Sequence, residues 1–269
     1  MKFGFIGTGV MAGAMLESAL AAGFLQKEDV LVYDKRPDAA ARFGVEIAGS
    51  AVQVAAQCDV VQLGVKPQDL HTLLEDIDEI LHANNSLAVS IAAGVPLKRI
   101  AVYAHRAARL MPNINATVGQ GMTAWCATDR VGPADLAWLR GYCECFGRAV
   151  QLEEKHFSAF TALAASAPAF VYLFIDELAR AGVTAGLPKA LALEIAAQTV
   201  FGSAAQVQRS AVYTGTAEGR LHPYELADRV CSPGGTTIAG VNALREYGFA
   251  HAVSQAVLAS YKRDQELGK

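Results

Sequence analysis

The sequence predicts an α/β domain with a doubly wound parallel sheet over residues 1–154, followed by an all-helical domain over residues 155–269. Three observations support this prediction. Short apolar runs alternate with helical patterns in the first part, and a glycine-patterned turn follows the first of those runs. From about Lys155 onward, long alanine- and leucine-rich helical stretches replace the strand pattern. Alternation of this kind is typical of a parallel sheet that helices cover on both faces.

The elements of the first domain follow from apolar periodicity. We predict strands at Phe3–Ile6, Val30–Tyr33, Asp59–Val65, Ser86–Ile91 and His105–Leu110. Helices are predicted between them, at Met11–Ala22, Asp38–Phe43, Ala51–Ala56, Gln68–Leu81 and Leu97–Tyr103. Two further strands, Gly121–Trp125 and Ala149–Leu152, flank a helix at Ala134–Cys145 and extend the sheet.

The second domain is predicted to hold long helices at Phe157–Ala181, Pro188–Arg209, Tyr224–Val230 and Ile238–Glu266. The stretch Phe157–Ile175 carries no charged residue and is long enough to cross a bilayer, but Ser158, Thr161, Ser166 and Pro168 interrupt its apolar character. We therefore predict a helix of a protein core or subunit interface. A signal peptide is disfavoured because Glu17 interrupts the apolar stretch after Lys2, so a soluble, cytoplasmic protein is expected.

The composition restricts the function classes. Hydrophobic residues make up 52% of the chain, and 23 basic against 26 acidic residues leave a net charge of −3 without a basic cluster. Nucleic-acid binding therefore lacks electrostatic support. The five cysteines are an odd number without zinc-ligand spacing, so we expect reduced thiols and no metal site.

A dinucleotide site is predicted at Gly7-Thr-Gly9-Val10-Met11-Ala12, between the first strand and the first helix. This is the context that a Gly-x-Gly-x-x-Ala turn of a Rossmann-type domain requires. Gly7 permits the tight turn, Gly9 lets pyrophosphate approach the backbone, and the small Ala12 allows close packing of helix and strand. The helix N-terminus then attracts the phosphates.

The second strand ends at Asp34-Lys35-Arg36, close to where an adenine ribose would lie. Asp34 favours NAD, because an acid at this place binds ribose hydroxyls and repels a 2′-phosphate. Lys35 and Arg36 favour NADP, because they accommodate that phosphate. Three solvated loop charges are the remaining alternative. Of the two cofactors we favour NADPH.

Two motifs lie just past the carboxyl ends of strands, where ligands of open α/β sheets bind. In Val65-Lys66-Pro67 the lysine is a candidate general acid, loop-carbonyl donor or cofactor contact. In Met111-Pro-Asn113 the asparagine can contact a nicotinamide or the substrate, or cap a loop.

The loop Ser232-Pro-Gly234-Gly235-Thr236-Thr237 precedes a predicted helix. Adjacent glycines and hydroxyls at a helix start form a candidate site for a carboxylate. A simple glycine turn is the competing interpretation, with Thr237 as a helix N-cap. His222 is expected to fix the approach to the loop, and Cys231 to be a small buried residue.

The segment His222-Pro-x-x-Leu226-x-Asp228-x-Val230-Cys-Ser232-Pro-Gly-Gly-Thr-Thr237 resembles that of pyrroline-5-carboxylate reductases. Other motifs occur in that family's order, and the resemblance spans essentially the whole chain: Val65-Lys-Pro67, Ser90-Ile-Ala-Ala-Gly94, Arg109-Leu-Met-Pro-Asn113 and Ser166-x-Pro168-Ala169. The chain differs at Ala165 and Ala167, where the family usually has glycines, and at Arg245, where it mostly has an acidic or amide residue.

The resemblance implies a helical domain that interleaves with its copy in a homodimer, and reduction of 1-pyrroline-5-carboxylate to L-proline with NADPH or NADH. It implies Thr237 as the catalytic residue, with its hydroxyl on the ring nitrogen. The implied substrate-binding residues are Ser166, Ser232, Gly234, Gly235, Thr236 and Thr237. The implied cofactor-binding residues are Gly7, Gly9, Val10, Met11, Ala12, Asp34, Lys35, Arg36, Val65, Lys66, Pro67, Ala92 and Asn113.

Two other classes of protein share some of these features. β-Hydroxyacid dehydrogenases share the opening glycine pattern but use a lysine early in the helical domain, and Thr161–Ile175 contains none. A dinucleotide-sensing regulator would need no substrate loop, and nothing in the chain resembles a DNA- or partner-binding module.

Overall fold

The structure is a computed structural model that describes residues 1–209 and 221–267. It divides into two compact units. The first consists of Met1–Ser166 and Ser260–Lys269, and the second of Ala167–Ala259. The first unit contains the sheet and the second is helical, so the α/β and all-helical fold class is confirmed.

The first unit is built around one eight-stranded sheet with the strand order 3-2-1-4-5-6-7-8. Its strands are β1 Phe3–Ile6, β2 Val30–Tyr33, β3 Glu46–Ile47, β4 Val60–Leu63, β5 Leu87–Ser90, β6 Arg106–Met111, β7 Gly121–Ala127 and β8 Gly147–Gln151. Strands β1 to β6 are parallel. The reversal of order at β1 and β4 is the topological switch point at which such sheets bind dinucleotides.

The helices of this unit lie on both faces of the sheet. They are α1 Val10–Ala21, α2 Pro37–Ala41, α3 Ala51–Gln57, α4 Pro67–Ala83, α5 Leu97–Ile100, α6 Pro133–Glu144 and α7 Phe157–Phe160. Successive strand residues point to opposite faces, so Phe3 and Phe5 join a core with Met15 and Tyr142. Ile6 on the same strand joins a second core with Ile77. The predicted doubly wound arrangement is therefore confirmed.

The end of the sheet differs from the prediction of a wholly parallel arrangement. Strand β7 runs antiparallel to β6, and β8 is parallel to β7. Only a short 3₁₀ turn, Ile114–Val118, lies between β6 and β7. A parallel connection needs a crossover of a dozen or more residues, so the chain turns back here. Helix α6 supplies such a crossover before β8. Strand β3, two exposed residues long, was not predicted.

The long helical segment begins at Phe157, within the first unit, whereas the second unit begins at Ala167. The predicted helix Phe157–Ala181 consists of α7, a π-helical turn at Thr161–Ser166, and α8 Ala167–Thr184. Phe157 is 2% exposed and forms a small core with Met111, Ala124 and Cys126 of the sheet. The two compact units accordingly divide after Ser166. The domain boundary after residue 154 stays a prediction.

The remaining helices are α9 Lys189–Arg209, α10 Pro223–Val230, α11 Thr236–Glu246 and α12 Phe249–Leu267. The prediction of one helix over Ile238–Glu266 was wrong. Gly248 has a φ of 76°, a left-handed conformation that interrupts the helix and separates α11 from α12.

Among the described residues, Glu154–Thr184 and Lys189–Arg209 are long and apolar enough to cross a membrane by length and composition alone. Core helices of soluble proteins pass the same test. Few residues of either stretch are buried within the single chain, so their apolar side chains are available to a partner surface. Exposed examples are Leu173, Leu191 and Phe201.

Candidate active site

The glycine turn between β1 and α1 has the predicted geometry. Gly7 has a φ of 85°, and a Cβ there would lie 2.9 Å from the backbone of Gly64. A Cβ on Gly64 would in turn lie 2.7 Å from the Cβ of Ala12, so the small residue at position 12 permits the close packing. Gly9 is the N-cap of α1. A Cβ at Gly9 would meet no described atom within 4 Å, so its backbone faces open space.

That open space is a cavity of about 720 Å³ at the carboxyl ends of β1, β2 and β4. Seven of the predicted cofactor-binding residues line it together: Gly7, Gly9, Asp34, Lys35, Arg36, Val65 and Lys66. The other six are not among its lining residues: Val10, Met11, Ala12, Pro67, Ala92 and Asn113. Sequence reasoning missed Ser50 and Thr72, which also line the cavity. Ser50 is the N-cap of α3, a role that its position before the helical pattern could have indicated.

Asp34 is engaged with the protein backbone. Its Oδ2 accepts hydrogen bonds from the Thr8 N–H at 2.7 Å and the Thr8 hydroxyl at 3.2 Å. Its Oδ1 accepts a hydrogen bond from the Arg36 N–H at 2.9 Å. Partial burial raises the pKa of this carboxyl, but the hydrogen bonds from Arg36 and Thr8 outweigh that effect, and the pKa lies below its ordinary value. The carboxylate thus ties the glycine turn to the end of β2.

The two cations beside Asp34 are exposed at the edge of the cavity. Lys35 and Arg36 both line it, and the Arg36 side chain is 75% exposed. The Arg36 Nε lies 3.8 Å from Asp34 Oδ1, beyond hydrogen-bond distance. The guanidinium thus forms an ion pair with Asp34 without a hydrogen bond, and its donors can bind a further anion. Of the alternatives considered for this segment, the arrangement favours a 2′-phosphate.

Lys66 lies at the start of α4, where its exposed side chain lines the same cavity and Pro67 occupies the first helical turn. This position fits a cofactor contact. Ala92 follows β5 and is buried, and its N–H donates to the Ser90 hydroxyl at 3.2 Å. Its backbone thus belongs to a tight turn after the strand.

Asn113 holds backbone segments together. Its Oδ1 accepts a hydrogen bond from the Met122 N–H at 3.1 Å, and its Nδ2 donates to the Ala164 carbonyl at 2.9 Å. The residue is 6% exposed. Ser166, half-buried, lies two residues beyond Ala164 in the π-helical turn. From the sequence, Asn113 could contact a nicotinamide or the substrate, or cap a loop. This bridge was not predicted, because Asn113 and Ala164 are far apart in the chain.

The Ser232–Thr237 loop lies in the second unit. The Gly235 N–H donates to the Ser232 carbonyl at 3.0 Å, and Gly234 has a φ of 69°. Proline followed by such a glycine is typical of a type II turn. Helix α11 begins at Thr236 with Gly235 as its N-cap, so the alternative of Thr237 as the N-cap was wrong. The first N–H groups of a helix have no partner within it, which leaves Thr236 and Thr237 as donors.

His222 lies at the start of α10, the helix that precedes this loop. Its Nδ1 accepts a hydrogen bond from the Tyr224 N–H at 3.2 Å, and the Glu225 carboxylate accepts one from the His222 N–H at 2.7 Å. His222 is thus the N-cap of α10. Cys231 is only partly buried, so the expectation of a buried residue there was wrong. The five cysteines are all free thiols. Among the described residues no group of three potential metal ligands occurs.

Comparison with known proteins places this geometry in a family. Residues 154–267 match the model for pyrroline-5-carboxylate reductase dimerisation, and residues 2–94 match that for NADP oxidoreductase, coenzyme F420-dependent. A crystal structure of Plasmodium falciparum pyrroline carboxylate reductase with NADP bound is similar, with a TM-score of 0.85 and 27% identity over 100% of this chain and 98% of that one.

Curated relatives agree over their full lengths. The chain is 40% identical to pyrroline-5-carboxylate reductase of Synechocystis sp. across 100% of this chain and 99% of the relative. It is 38% identical to that of Escherichia coli across 100% of this chain and 98% of the relative. With the dinucleotide cavity in its first half and the dimerisation segment in its second, the chain belongs to the pyrroline-5-carboxylate reductase family.

Proposed function

We propose that the protein reduces the imine of 1-pyrroline-5-carboxylate to L-proline with NADPH as the reductant. The observation that carries this proposal is the cavity formed by the glycine turn and the ends of β1, β2 and β4, in a chain whose full-length relatives are reductases of that substrate. Bound in this cavity, NADPH would supply a hydride to the imine carbon; the ring nitrogen keeps its proton as the carbon–nitrogen double bond becomes a single bond. When the substrate binds as its protonated iminium form, the step requires no proton from a protein acid.

The preference for NADPH rests on the partners of Asp34. Both carboxylate oxygens already accept hydrogen bonds from the protein, which leaves Asp34 less capacity to bind both ribose hydroxyls than an unengaged acid would have. Arg36 and Lys35 line the cavity with exposed side chains and can pair with the 2′-phosphate. The Plasmodium falciparum relative was crystallised with NADP. Gly7, Gly9 and the first turn of α1 hold the pyrophosphate in this proposal.

The substrate carboxylate is assigned to the N-terminus of α11. The type II turn places Gly235 before the helix, and Gly235 uses its own N–H within the turn. The N–H groups of Thr236 and Thr237 remain as donors, and a helix N-terminus favours an anion. The Ser232 hydroxyl is a further donor. The Thr237 hydroxyl is proposed to bind the ring nitrogen, and Ser166 to bind substrate or a water molecule.

The helical unit is proposed to bury its apolar side chains against a second copy of the chain in a cytoplasmic homodimer. Residues 154–267 match a dimerisation model, and the two most apolar helical stretches lie inside that range. Exposed leucines and phenylalanines on α8 and α9 are the side chains that such a dimer would cover.

The test is a reduction assay with purified protein, 1-pyrroline-5-carboxylate and either reduced cofactor. Oxidation of NADPH should be faster than oxidation of NADH at equal concentration. Thr237→Ala should lower turnover while the protein stays folded. The matched control is Thr184→Ala, because Thr184 is an exposed residue of α8 outside the proposed site. Absence of turnover with both cofactors would refute the proposed function.

A further inference from the structure

The π-helical turn Thr161–Ser166 is an unusual feature of the first unit. In a π-helix the backbone hydrogen bonds run from residue i to i+5, and such turns occur mostly as short insertions, frequently at functional sites. Ser166 is the last residue of this turn. The position of its hydroxyl therefore depends on whatever keeps the turn in its π-helical form.

The start of this segment is tied to the sheet by an ion pair. Arg109 of β6 contacts Glu154 with an Nη1–Oε1 distance of 2.8 Å, and the same oxygen accepts a hydrogen bond from the Leu97 N–H at 2.6 Å. The Arg109 guanidinium lies over the ring of Phe157, with its Cζ 4.5 Å from the ring centroid. These contacts anchor residues 154–157 but do not reach the π-helical turn.

The end of the segment is tied to the sheet by the Asn113 amide. This side chain accepts from the Met122 N–H at the start of β7 and donates to the Ala164 carbonyl within the π-helical turn. Both roles need a carboxamide, because an acid of the same shape offers no donor to Ala164 and an apolar residue offers neither group. Because Asn113 is buried, a water molecule could not easily replace a hydrogen-bond partner that a substitution at this position removes.

We infer that Asn113 is a positioning residue for the reduction: its amide holds Ala164, and through the π-helical turn it fixes Ser166 for the substrate. This inference rests on the proposed function, in which Ser166 contacts the substrate. It differs from a nicotinamide contact, since both polar groups of the amide already bind the backbone. Asn113 then acts on the substrate side of the reaction and leaves cofactor affinity unchanged.

The test uses Asn113→Asp, which keeps the acceptor for the Met122 N–H and removes the donor to Ala164. The matched control is Asn84→Asp, because the Asn84 amide also donates to backbone carbonyls, at Ala55 and Ala56, outside the proposed site. We expect Asn113→Asp to lower kcat/KM for pyrroline-5-carboxylate about tenfold or more, and to change the calorimetric Kd for NADP⁺ by less than about twofold. Asn84→Asp should lower Tm without this kinetic change.

A double-mutant cycle with Ser166→Ala tests the route of the effect. If Asn113 acts through Ser166, Asn113→Asp should have little further effect on kcat/KM in the Ser166→Ala background. Additive losses would overturn the inference, as would an increase in the Kd for NADP⁺ that matches the kinetic loss. Unchanged kinetics with a lower Tm would show a merely structural role and also overturn it.

Should Asn113→Asp not fold, Asn113→Ser goes through the same measurements, because a serine is too short to bridge both backbone groups. An active wild-type enzyme with an unaffected Asn113 variant would refute this inference alone. An inactive wild-type protein would refute the proposed function, and the inference with it.

Discussion

Replacement of Gly9 by alanine should separate cofactor binding from folding. Gly9 has φ −61° and ψ −174°, a conformation that alanine adopts without strain, and the added Cβ would meet no described atom within 4 Å. The cost to the fold is the poorer N-cap of α1, about 1 kcal/mol. For a chain of this size that corresponds to a decrease in Tm of about 2–4 °C.

The same methyl group would enter the cavity in which the backbone is proposed to meet the pyrophosphate. Loss of one hydrogen bond to a charged group costs about 1.5–3 kcal/mol. Converted to affinity, this raises the Kd for NADP⁺ by about 10- to 150-fold. Titration calorimetry with NADP⁺ measures the effect without turnover.

Gly7→Ala is the contrasting variant. Gly7 has a φ of 85°, and its Cβ would lie 2.9 Å from the Gly64 backbone, so alanine there strains the fold itself. We expect Gly7→Ala to lose far more thermal stability than Gly9→Ala. The reasoning is refuted if Gly9→Ala binds NADP⁺ within about twofold of the wild-type affinity, or if it is the less stable of the two variants.

Three further predictions concern charge and ionisation. Arg36→Ala should lower kcat/KM for NADPH about 10- to 100-fold, because one charge-assisted contact to the 2′-phosphate is lost. The kcat/KM for NADH should stay unchanged. Equal losses with both cofactors would contradict the assignment of Arg36 to the 2′-phosphate. Because the folded-state pKa of Asp34 is lowered, its carboxylate stabilises the protein above its ordinary pKa of about 3.9, and this contribution is lost as the pH falls further. Urea unfolding should therefore show Asp34→Asn less stable than wild type at pH 7, with the difference closing toward pH 4 and below; a constant difference would contradict this. Burial raises the pKa of Cys58 to about 11 and that of Cys126 to about 12. Neither thiol should therefore react with a disulfide reagent at pH 8 until the protein is unfolded. Rapid labelling of either thiol in the native protein would show that it is not buried.

The dinucleotide half of the protein was predictable because its signals are local. Gly7 and Gly9 follow an apolar strand directly and precede a helix, so the turn could be recognised from neighbouring residues. The type II turn of Ser232–Gly235 is equally local, since proline and glycine at adjacent positions restrict the backbone by themselves. The long apolar helices beyond Lys155 could also be predicted, although the interruption at Gly248 could not, because a single glycine does not always end a helix.

The roles of polar side chains depended on contacts between distant residues. The sequence left Asp34 ambiguous between NAD and NADP, and only the fold brought its Oδ2 to the Thr8 N–H and hydroxyl. Asn113 could not be assigned from its own neighbourhood, since its partner Ala164 is 51 positions away in the chain. The direction of β7, by contrast, is set by the short connection before it, a local feature that could have been read from the sequence. Periodicity and turn chemistry act over a few residues and so can be read along the chain, whereas a side-chain amide or carboxylate takes the partner that the folded chain brings to it.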